Sequence, residues 1–545
     1  MLGPFSAAYL QGDPQARDFV RTDFRDPTSR LEVTRRAAQR PLDPALLATL
    51  HEQNQALSQT ETRRQHLATL TSPGPAGRAV VVTGQQVGLF LGPLYTVYKA
   101  ATAIATARAL QRETGIACVP LFWLQTEDHD YAEIHHCHVP IAGLPPLRLE
   151  LAASDPALLR SSVAHRLLGP EVSMQLAALE AALGTLPHAA EFLDCLQRHY
   201  RPEATIGAAF GHVLGELFAE EGLLILDPRR PGSRTISTLA SPLYRRAIVE
   251  EEAVSAALLA REDALHQAGW ATQIPVRPGT TLTFFHLHSP TGPRYRLERP
   301  AWTLPGPSGG KQQLSEQEIL AILADDPLRC SSSALLRPLI QDSLLPTAAY
   351  IGGPAEVSYC AQLGPLYDLF GIDQPLVMPR ARFRCLEDNT RSWLGKLGLE
   401  PAEVEAPRTD VLRKLVSRSP SDRPSPDSLR ERLLTELGER LRELEALDAA
   451  LRDPVRRARD SIGRTISHLI ERYAQSLTER DHVTRERVDR LQAFLYPHDQ
   501  PQERVLSLPF FACKYGVTAF KQKLFASLTD ASLFASAQTV RDLVL

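Results

Sequence analysis

The run EDHDYAEIHHCH places Glu127, Asp128, His129, Asp130, Glu133, His135, His136 and His138 close together in the chain. Carboxylates and imidazoles at this density suit either a divalent cation or acid–base work on a substrate. His129 and Glu133 have helical i, i+4 spacing, but neither HExxH nor paired CxxC is present. Consecutive residues on a strand or loop also point in different directions, so they cannot all be ligands. No metal site is predicted. Asp128 and His129, together with Lys99 upstream, are the catalytic candidates and Asp130 a binding candidate; a merely polar strand end is the alternative. Upstream, the loop GQQVGLFLGP supplies Gly84, Gln85, Gln86, Gly88 and Gly92, followed by Tyr95 and by Lys99, one of few lysines in an arginine-rich chain. Glycine N–H groups at a helix start could cradle an anion. Tight turning and close packing would require the same glycines. Lys99 reads equally well as a phosphate ligand or a solvated charge.

These groups need elements to hold them. Ala79 to Thr83 is a β-branched run ending at Gly84, and Cys118 to Leu124 is a second apolar run. Between them, an alanine-rich stretch without breakers predicts a helix from near Pro93, with Lys99 about two turns in. Strand, glycine loop, helix, strand is a doubly wound unit, whose ligands sit at the carboxyl ends of its strands. The loop has neither GxGxxG nor GxxxxGK with Ser or Thr, so a plain dehydrogenase or P-loop reading is weak.

The pattern recurs in AYIGGPAEVSYCAQ, where Gly352 and Gly353 follow an apolar strand and Glu356 falls where a helix opens. Tyr359 and Gln362 share a helical face there. Leu223 to Leu226 and Leu376 to Met378 read as further core strands. Asp227, at the end of the former, is a site candidate or a turn former. TLTFFHLHSPTGPRYRLER predicts an inserted β-hairpin carrying Arg294 and Arg296 on one face, more simply solvated than clamping a carboxylate.

With these residues in view, the segments TGQQVGLFLGPLYTVYKA, PLFWLQTEDHDYAEI, RPLIQDSLLPTAAYIGGPAEVSYCAQLGPLYDLF and PQERVLSLPFFACKYG resemble signature segments of the bacillithiol biosynthesis cysteine-adding enzyme family, BshC. The resemblance implies a ligase that adds cysteine to glucosamine malate in the closing step of bacillithiol synthesis. It also implies a Rossmann-like core with inserted connecting segments and a coiled coil through which members form homodimers. ATP or another nucleotide is implied as the activator of a carboxylate, because water is a poor leaving group. The glycine loop faintly resembles the HxGH loop of nucleotidylyl transferases, with Gln where that pattern has His, and no KMSKS-like segment follows. A metal hydrolase built on 127–138 and a coiled-coil scaffold with an inactive core are the other classes the chain could fit.

At 545 residues the chain is long enough for two to four structural units. Its 43% hydrophobic and 23% charged content is that of a globular protein, and a net charge of −3 gives no electrostatic case for nucleic acid or an anionic membrane. No basic-apolar leader or span-length apolar run is evident, so a cytoplasmic location is expected. Seven dispersed cysteines argue against a disulfide framework or a thiolate zinc site; Cys137, flanked by histidines, is the thiol to watch. The expected organisation is a helical arm (1–75), an α/β Rossmann-like core with insertions (76–388), a coiled-coil region (389–495) and a tail returning to the core (496–545). The coiled coil rests on Leu434, Leu437, Leu441, Leu444, Leu451, Val455, Ala458, Ile462, Ile466, Leu469 and Tyr473, in three- and four-residue steps broken at DAALRDP.

Overall fold

Three successive valines, Val80, Val81 and Val82, set the centre of the first strand, Arg78–Gln85 (β1), where β-branched side chains favour extended backbone. Residues 79–84 are buried, as a strand covered on both faces requires. In the computed structural model, which describes residues 4–141, 144–152, 158–299, 302–305, 311–418, 426–479, 482–535 and 539–545, β1 is joined by Ala117–Leu124 (β2), Leu224–Leu226 (β3), Thr347–Gly352 (β4) and Leu376–Pro379 (β5). All pair in parallel in the order β5-β4-β1-β2-β3. The chain lays β2 and β3 on one side of β1, then returns to place β4 and β5 on the other. Its direction therefore reverses between β1 and β4, and such a switch point opens a crevice at the carboxyl edge. Thr83 sits opposite Ile351 there and donates its hydroxyl to the Ile351 carbonyl at 2.8 Å. This is the α/β, Rossmann-like architecture that the strand–loop–helix–strand pattern predicts.

The helix after β1 is Tyr95–Thr114 (α1), closed by Gly115 at φ +70°. It begins later than Pro93, because Leu89–Leu91 first makes a short 3-10 turn in which Phe90 and Leu91 have φ of +48° and +74°. Lys99 consequently stands about one turn into the helix, not two. Ala189–His199 (α2) and Ile206–Leu217 (α3) precede β3, and Pro354–Phe370 (α4) follows β4.

Edge strand β3 is only three residues long and is completed by side chains. From the helix Pro44–Gln55, Asn54 donates to the Ile225 carbonyl and accepts its N–H (both 2.9 Å), while Gln53 does the same for Asp227 at 3.0 and 2.7 Å. Each primary amide thus substitutes for a neighbouring strand's peptide group, which prevents orphaned backbone at a buried edge. The first helices pack into the main core through Leu46 and Leu50, both fully buried.

The inserted hairpin belongs to a five-stranded sheet in the order Cys330–Ser332, Thr280–His286, Arg294–Glu298, Thr303–Pro305, Lys311–Gln313, with antiparallel pairs throughout. This sheet, the parallel sheet and the segment Leu506–Leu543 fall in one compact unit, Met1–Val139 with Arg148–Arg384 and Leu506–Leu543.

The second unit comprises Pro140–Leu147, Cys385–Val505 and Val544–Leu545. It has its own apolar cluster around Leu394, Val404, Val488 and Leu491. Its two long helices, Pro426–Leu447 and Arg452–Glu479, pack on each other across the short turn Ala449–Leu451. Asp453 and Pro454 lie in the first turn of the second helix, where a missing N–H is tolerated. Leu441, Val455 and Ile470 are buried in this hairpin. The predicted seam is only partly buried: Leu444, Ile462 and Leu469 are exposed, and beside Leu469 it is Ile470 that is buried, since only one of two consecutive residues can face inward on a helix. Residues 480–481 of the predicted run lie outside the described residues.

Candidate functional site

Two groups of side chains occupy the carboxyl edge of the parallel sheet, and Gln85 and Gln86 connect them. The first straddles the switch point. Lys99 is only 2% exposed and pairs with Glu356 at the start of α4. Its ammonium also donates to the Gly84 carbonyl (2.8 Å) and to Gln85 Oε1 (2.9 Å). Glu356 in turn accepts from the Gly353 N–H at 2.6 Å and from the Tyr350 hydroxyl. Burial alone would raise the Glu356 carboxyl, but Lys99 and these donors outweigh it and hold the group below its ordinary range. Lys99 is therefore not a solvated charge; it is a buried one, neutralised by a carboxylate from the other half of the sheet.

Around this pair, Gln85 donates to the Tyr95 hydroxyl at 3.3 Å, and the Arg380 guanidinium lies 5.5 Å from the Tyr95 ring centre. A Cβ at Gly353 would meet Glu356 Oε2 at 3.2 Å and both Arg380 Nε and Lys99 Cε at 3.9 Å. Glycine leaves that methyl-sized space open between the Glu356 carboxylate and the Arg380 and Lys99 side chains. Arg337 donates to the hydroxyls of Tyr350 (3.1 Å) and Tyr359 (3.0 Å). Tyr359 thus props Arg337 in place, and Gly352 packs on Glu356, whose Cβ would be 3.1 Å from an added methyl.

The second group lies beyond β2. Asp128 accepts from Gln86 Nε2 (2.6 Å), its neighbour's backbone N–H (2.7 Å) and Arg294 Nη2 (2.8 Å). Burial opposes its charge, yet the Arg294 guanidinium and the His129 backbone N–H hold the carboxyl below the usual carboxylate range. Asp128 is about a third exposed and permanently ionised at neutral pH, which makes it a weak base and a good partner for a cation. His129 Nδ1 lies 3.1 Å from Arg294 Nε and 3.2 Å from Asp128 Oδ1. Arginine can only donate and Asp128 Oδ1 already accepts twice, so Nδ1 takes the acceptor role and the imidazole proton resides on Nε2. His129 then presents a donor, where the sequence suggested a base. Arg294, read from sequence as solvated, is 5% exposed and stacks 4.3 Å from the Phe284 ring centre, with Arg296 at 5.1 Å on the same face.

The remaining expectations separate here. Gly88 and Gly92 do not cradle an anion: their N–H groups are taken by the Gln86 and Leu89 carbonyls at 3.1 and 2.8 Å. A Cβ on Gly88 would lie 2.9 Å from Gly92 Cα, so the glycines exist for a close backbone crossing inside a fully buried loop. Asp130 caps the short helix Tyr131–Ile134 by accepting from the Glu133 N–H and is exposed. The acidic and histidine run does not converge: Glu127 accepts from Ser332 and Tyr244, and His135 pairs with Glu150. Cys137 is buried, which pushes its thiol up to about 12 and removes it as a nucleophile. Sequence reasoning named Arg294 but preferred a solvated role for it, and missed Arg337 and Arg380; Arg380, directly after the apolar run of β5, carried a readable signal because it stands at a strand's carboxyl end.

Asp227 ends β3 and contrasts with Asp128. It accepts from the Thr126 hydroxyl and the Arg229 N–H (3.0 Å), and lines a cavity of about 90 Å³ with Leu124, Gly207, Gly211, Ile225 and Arg230. Burial pushes its carboxyl up to about 6 despite these donors.

Two predictions follow from the paired and unpaired charges. Lys99→Met leaves Glu356 as a buried unpaired anion and is expected to cost about 3–5 kcal/mol in denaturant unfolding, most of it recovered by adding Glu356→Gln. A single-variant cost below about 1 kcal/mol would show that the pair does not hold the switch point together. Asp227 has a folded pKa above its unfolded one, so its contribution is fully present below about pH 4 and lost as pH rises through about 6. Asp227→Asn should therefore stabilise the protein at pH 7.5, by up to about 3 kcal/mol, and have little effect near pH 4. Equal or lower stability of the variant at pH 7.5 would contradict this.

The family model described as "Bacillithiol biosynthesis BshC, N-terminal Rossmann-like domain" matches residues 3–381, and that described as "Bacillithiol biosynthesis BshC, C-terminal coiled-coil domain" matches residues 383–531. Similar proteins, each named "Putative cysteine ligase BshC", come from Koribacter versatilis (32% identical, covering 84% of this chain and 82% of that one), Salinibacter ruber (31%; 94% and 92%) and Solibacter usitatus (33%; 87% and 85%). Matches that run through both halves of the parallel sheet and on through the helical hairpin leave one conclusion: the chain belongs to the BshC family of bacillithiol biosynthesis.

Proposed function

We propose that this chain is a cysteine ligase acting on glucosamine malate, with carboxylate activation by ATP or another nucleotide. The observation that supports this reading best is the pair of oppositely suited groups at one sheet edge. Around Gly353, Glu356 balances the charge of Lys99, so the surplus positive charge is that of the Arg380 guanidinium, which suits a carboxylate or phosphate of a substrate. Around Asp128, a carboxylate fixed in its ionised form suits the ammonium of an amino substrate, and His129 Nε2–H suits an oxygen that gains charge. Gln85 and Gln86, adjacent in the chain, hold the two ends in fixed relation.

Amide formation needs an amine nitrogen to attack an activated carbonyl carbon. The leaving group departs with its bonding pair, and the amine proton passes to an acceptor or to water. The chain's own contribution is placement of both reactants and stabilisation of the developing oxyanion. A nucleotide as co-substrate would supply the leaving group. The 127–138 metal hydrolase reading loses its footing, because those side chains are directed to separate partners.

The test is direct: the purified protein with ATP, cysteine and glucosamine malate, followed by mass spectrometry of thiol product and nucleotide. Amide product with matching release of AMP or ADP is expected. His129→Leu, which removes the Nε2–H donor, should lower turnover by roughly 10²- to 10³-fold. Product formation by His129→Leu at the wild-type rate would remove His129 from the site, and no product with any nucleoside triphosphate would overturn the ligase reading.

We infer further that the helical hairpin mediates a homodimer. Leu447 is 80% exposed, Leu469 61%, Leu444 45% and Ile462 41%, an apolar set that the hairpin's own packing leaves uncovered. Replacing Leu447 and Leu469 by Asp spares the buried Leu441, Val455 and Ile470, and should halve the mass seen in sedimentation equilibrium. An unchanged mass would place any dimer contact elsewhere.

A further inference from the structure

Apart from the sheet edge, α2 and α3 bring together three side chains that no step above uses. Cys195 and His199 stand at i, i+4 on α2 and so share a face. Glu216, near the end of α3, faces them: Cys195 Sγ is 3.3 Å from its Oε2 and His199 Nε2 is 2.5 Å from its Oε1. The three candidate ligand atoms all lie within 4.8 Å of one another. Ligands at about 2.0–2.3 Å from a tetrahedral ion are themselves separated by about 3.3–3.8 Å, so small side-chain adjustments suffice to enclose one.

We propose that Cys195, His199 and Glu216 form a site for a divalent transition-metal cation of the zinc class. A thiolate and a carboxylate supply two negative charges and the imidazole a neutral nitrogen, which together balance a 2+ ion. Sulfur and nitrogen donors favour such an ion over magnesium or calcium. His199 and Glu216 side chains are 19% and 21% exposed, so solvent has a route to the site and a fourth position remains for water. His212 stacks on His199 with ring centres 5.0 Å apart and planes at 18°, and its own Nδ1 is anchored 2.7 Å from the Ala208 carbonyl. That stack fixes the His199 ring, the orienting role outer groups have at metal centres. Arg198 competes: its guanidinium bonds both Glu216 oxygens at 3.2 and 3.0 Å. Its side chain is half exposed and can turn out to solvent. The bound ion would clamp α2 to α3, whose first turn packs against Thr126 and Asp227 through Gly207.

The sequence offered a faint signal, a Cys-x₃-His pair followed by a glutamate across a helical hairpin, which is hidden when cysteines are sought in pairs. The test uses the full-length chain without a histidine tag, stripped with chelator and titrated with Co²⁺, then Zn²⁺. One equivalent of Co²⁺ should give tetrahedral d–d absorption with a thiolate-to-cobalt charge-transfer band, and Zn²⁺ should displace it and raise the wild-type melting temperature. Cys195→Ser should lose the charge-transfer band and His199→Ala should lose stoichiometric binding, while Cys118→Ser, a buried thiol on β2, should keep both. Circular dichroism on each variant separates loss of binding from loss of fold. Absence of stoichiometric Co²⁺ in the folded wild type would show an ion-pair network alone, and a charge-transfer band that persists in Cys195→Ser would assign the metal to another thiol. Either result overturns the proposal.

Discussion

A charge buried in the middle of a sheet edge must be neutralised there, and the Lys99–Glu356 pair meets that constraint for this molecule. The two residues come from helices that follow neighbouring strands, β1 and β4, which lie far apart in the chain and meet only because both strands run parallel. Parallel strands bring the starts of their following helices to the same edge, so the lysine of one half meets the carboxylate of the other across the switch point. Neither charge could stay in place alone: burial opposes both, and only their mutual attraction, with the Gly353 N–H and the Tyr350 hydroxyl, makes the ionised state of Glu356 favourable. The candidate site thus inherits its geometry from a contact that also closes the fold.

Neutral amides connect the charges. Gln85 joins Lys99 to Tyr95, and Gln86 reaches Asp128, so one dipeptide spans both poles. At the edge strand, Gln53 and Asn54 act on β3 in the same way, offering one donor and one acceptor where a strand neighbour is missing. An amide suits both tasks because it adds hydrogen-bonding capacity without another charge to desolvate.

Two aspartates at neighbouring strand ends show how far surroundings decide chemistry. Asp128 meets a guanidinium and a backbone N–H and is held ionised; Asp227 meets a hydroxyl and a backbone N–H in an apolar enclosure and is pushed towards its neutral form. Two things separate them: Asp227 is the more deeply buried, and Asp128 is bonded directly by Arg294, which arrives from the antiparallel sheet. The inserted sheet therefore does more than cover the core, since it delivers the cation that sets the state of Asp128.

The sequence by itself determined the parallel core, because apolar runs ending in glycine and followed by helices have one economical arrangement. It also pointed to residues 84–86, 99, 128–129 and 352–356, since chemistry in such a sheet belongs at carboxyl ends. What it could not decide was which groups meet. Glycine spacing alone suggested an anion cradle, but whether Gly88 and Gly92 offer their N–H groups outward or cross each other depends on φ values set by Phe90 and Leu91. Arg294 read as solvated because a two-residue alternation shows which face a side chain takes and not what covers that face. His129 reads as a base from sequence, whereas in the fold a fixed donor, Arg294 Nε, faces its Nδ1. Protonation, tautomer and charge depend on partners brought from distant segments, and only the tertiary structure supplies those.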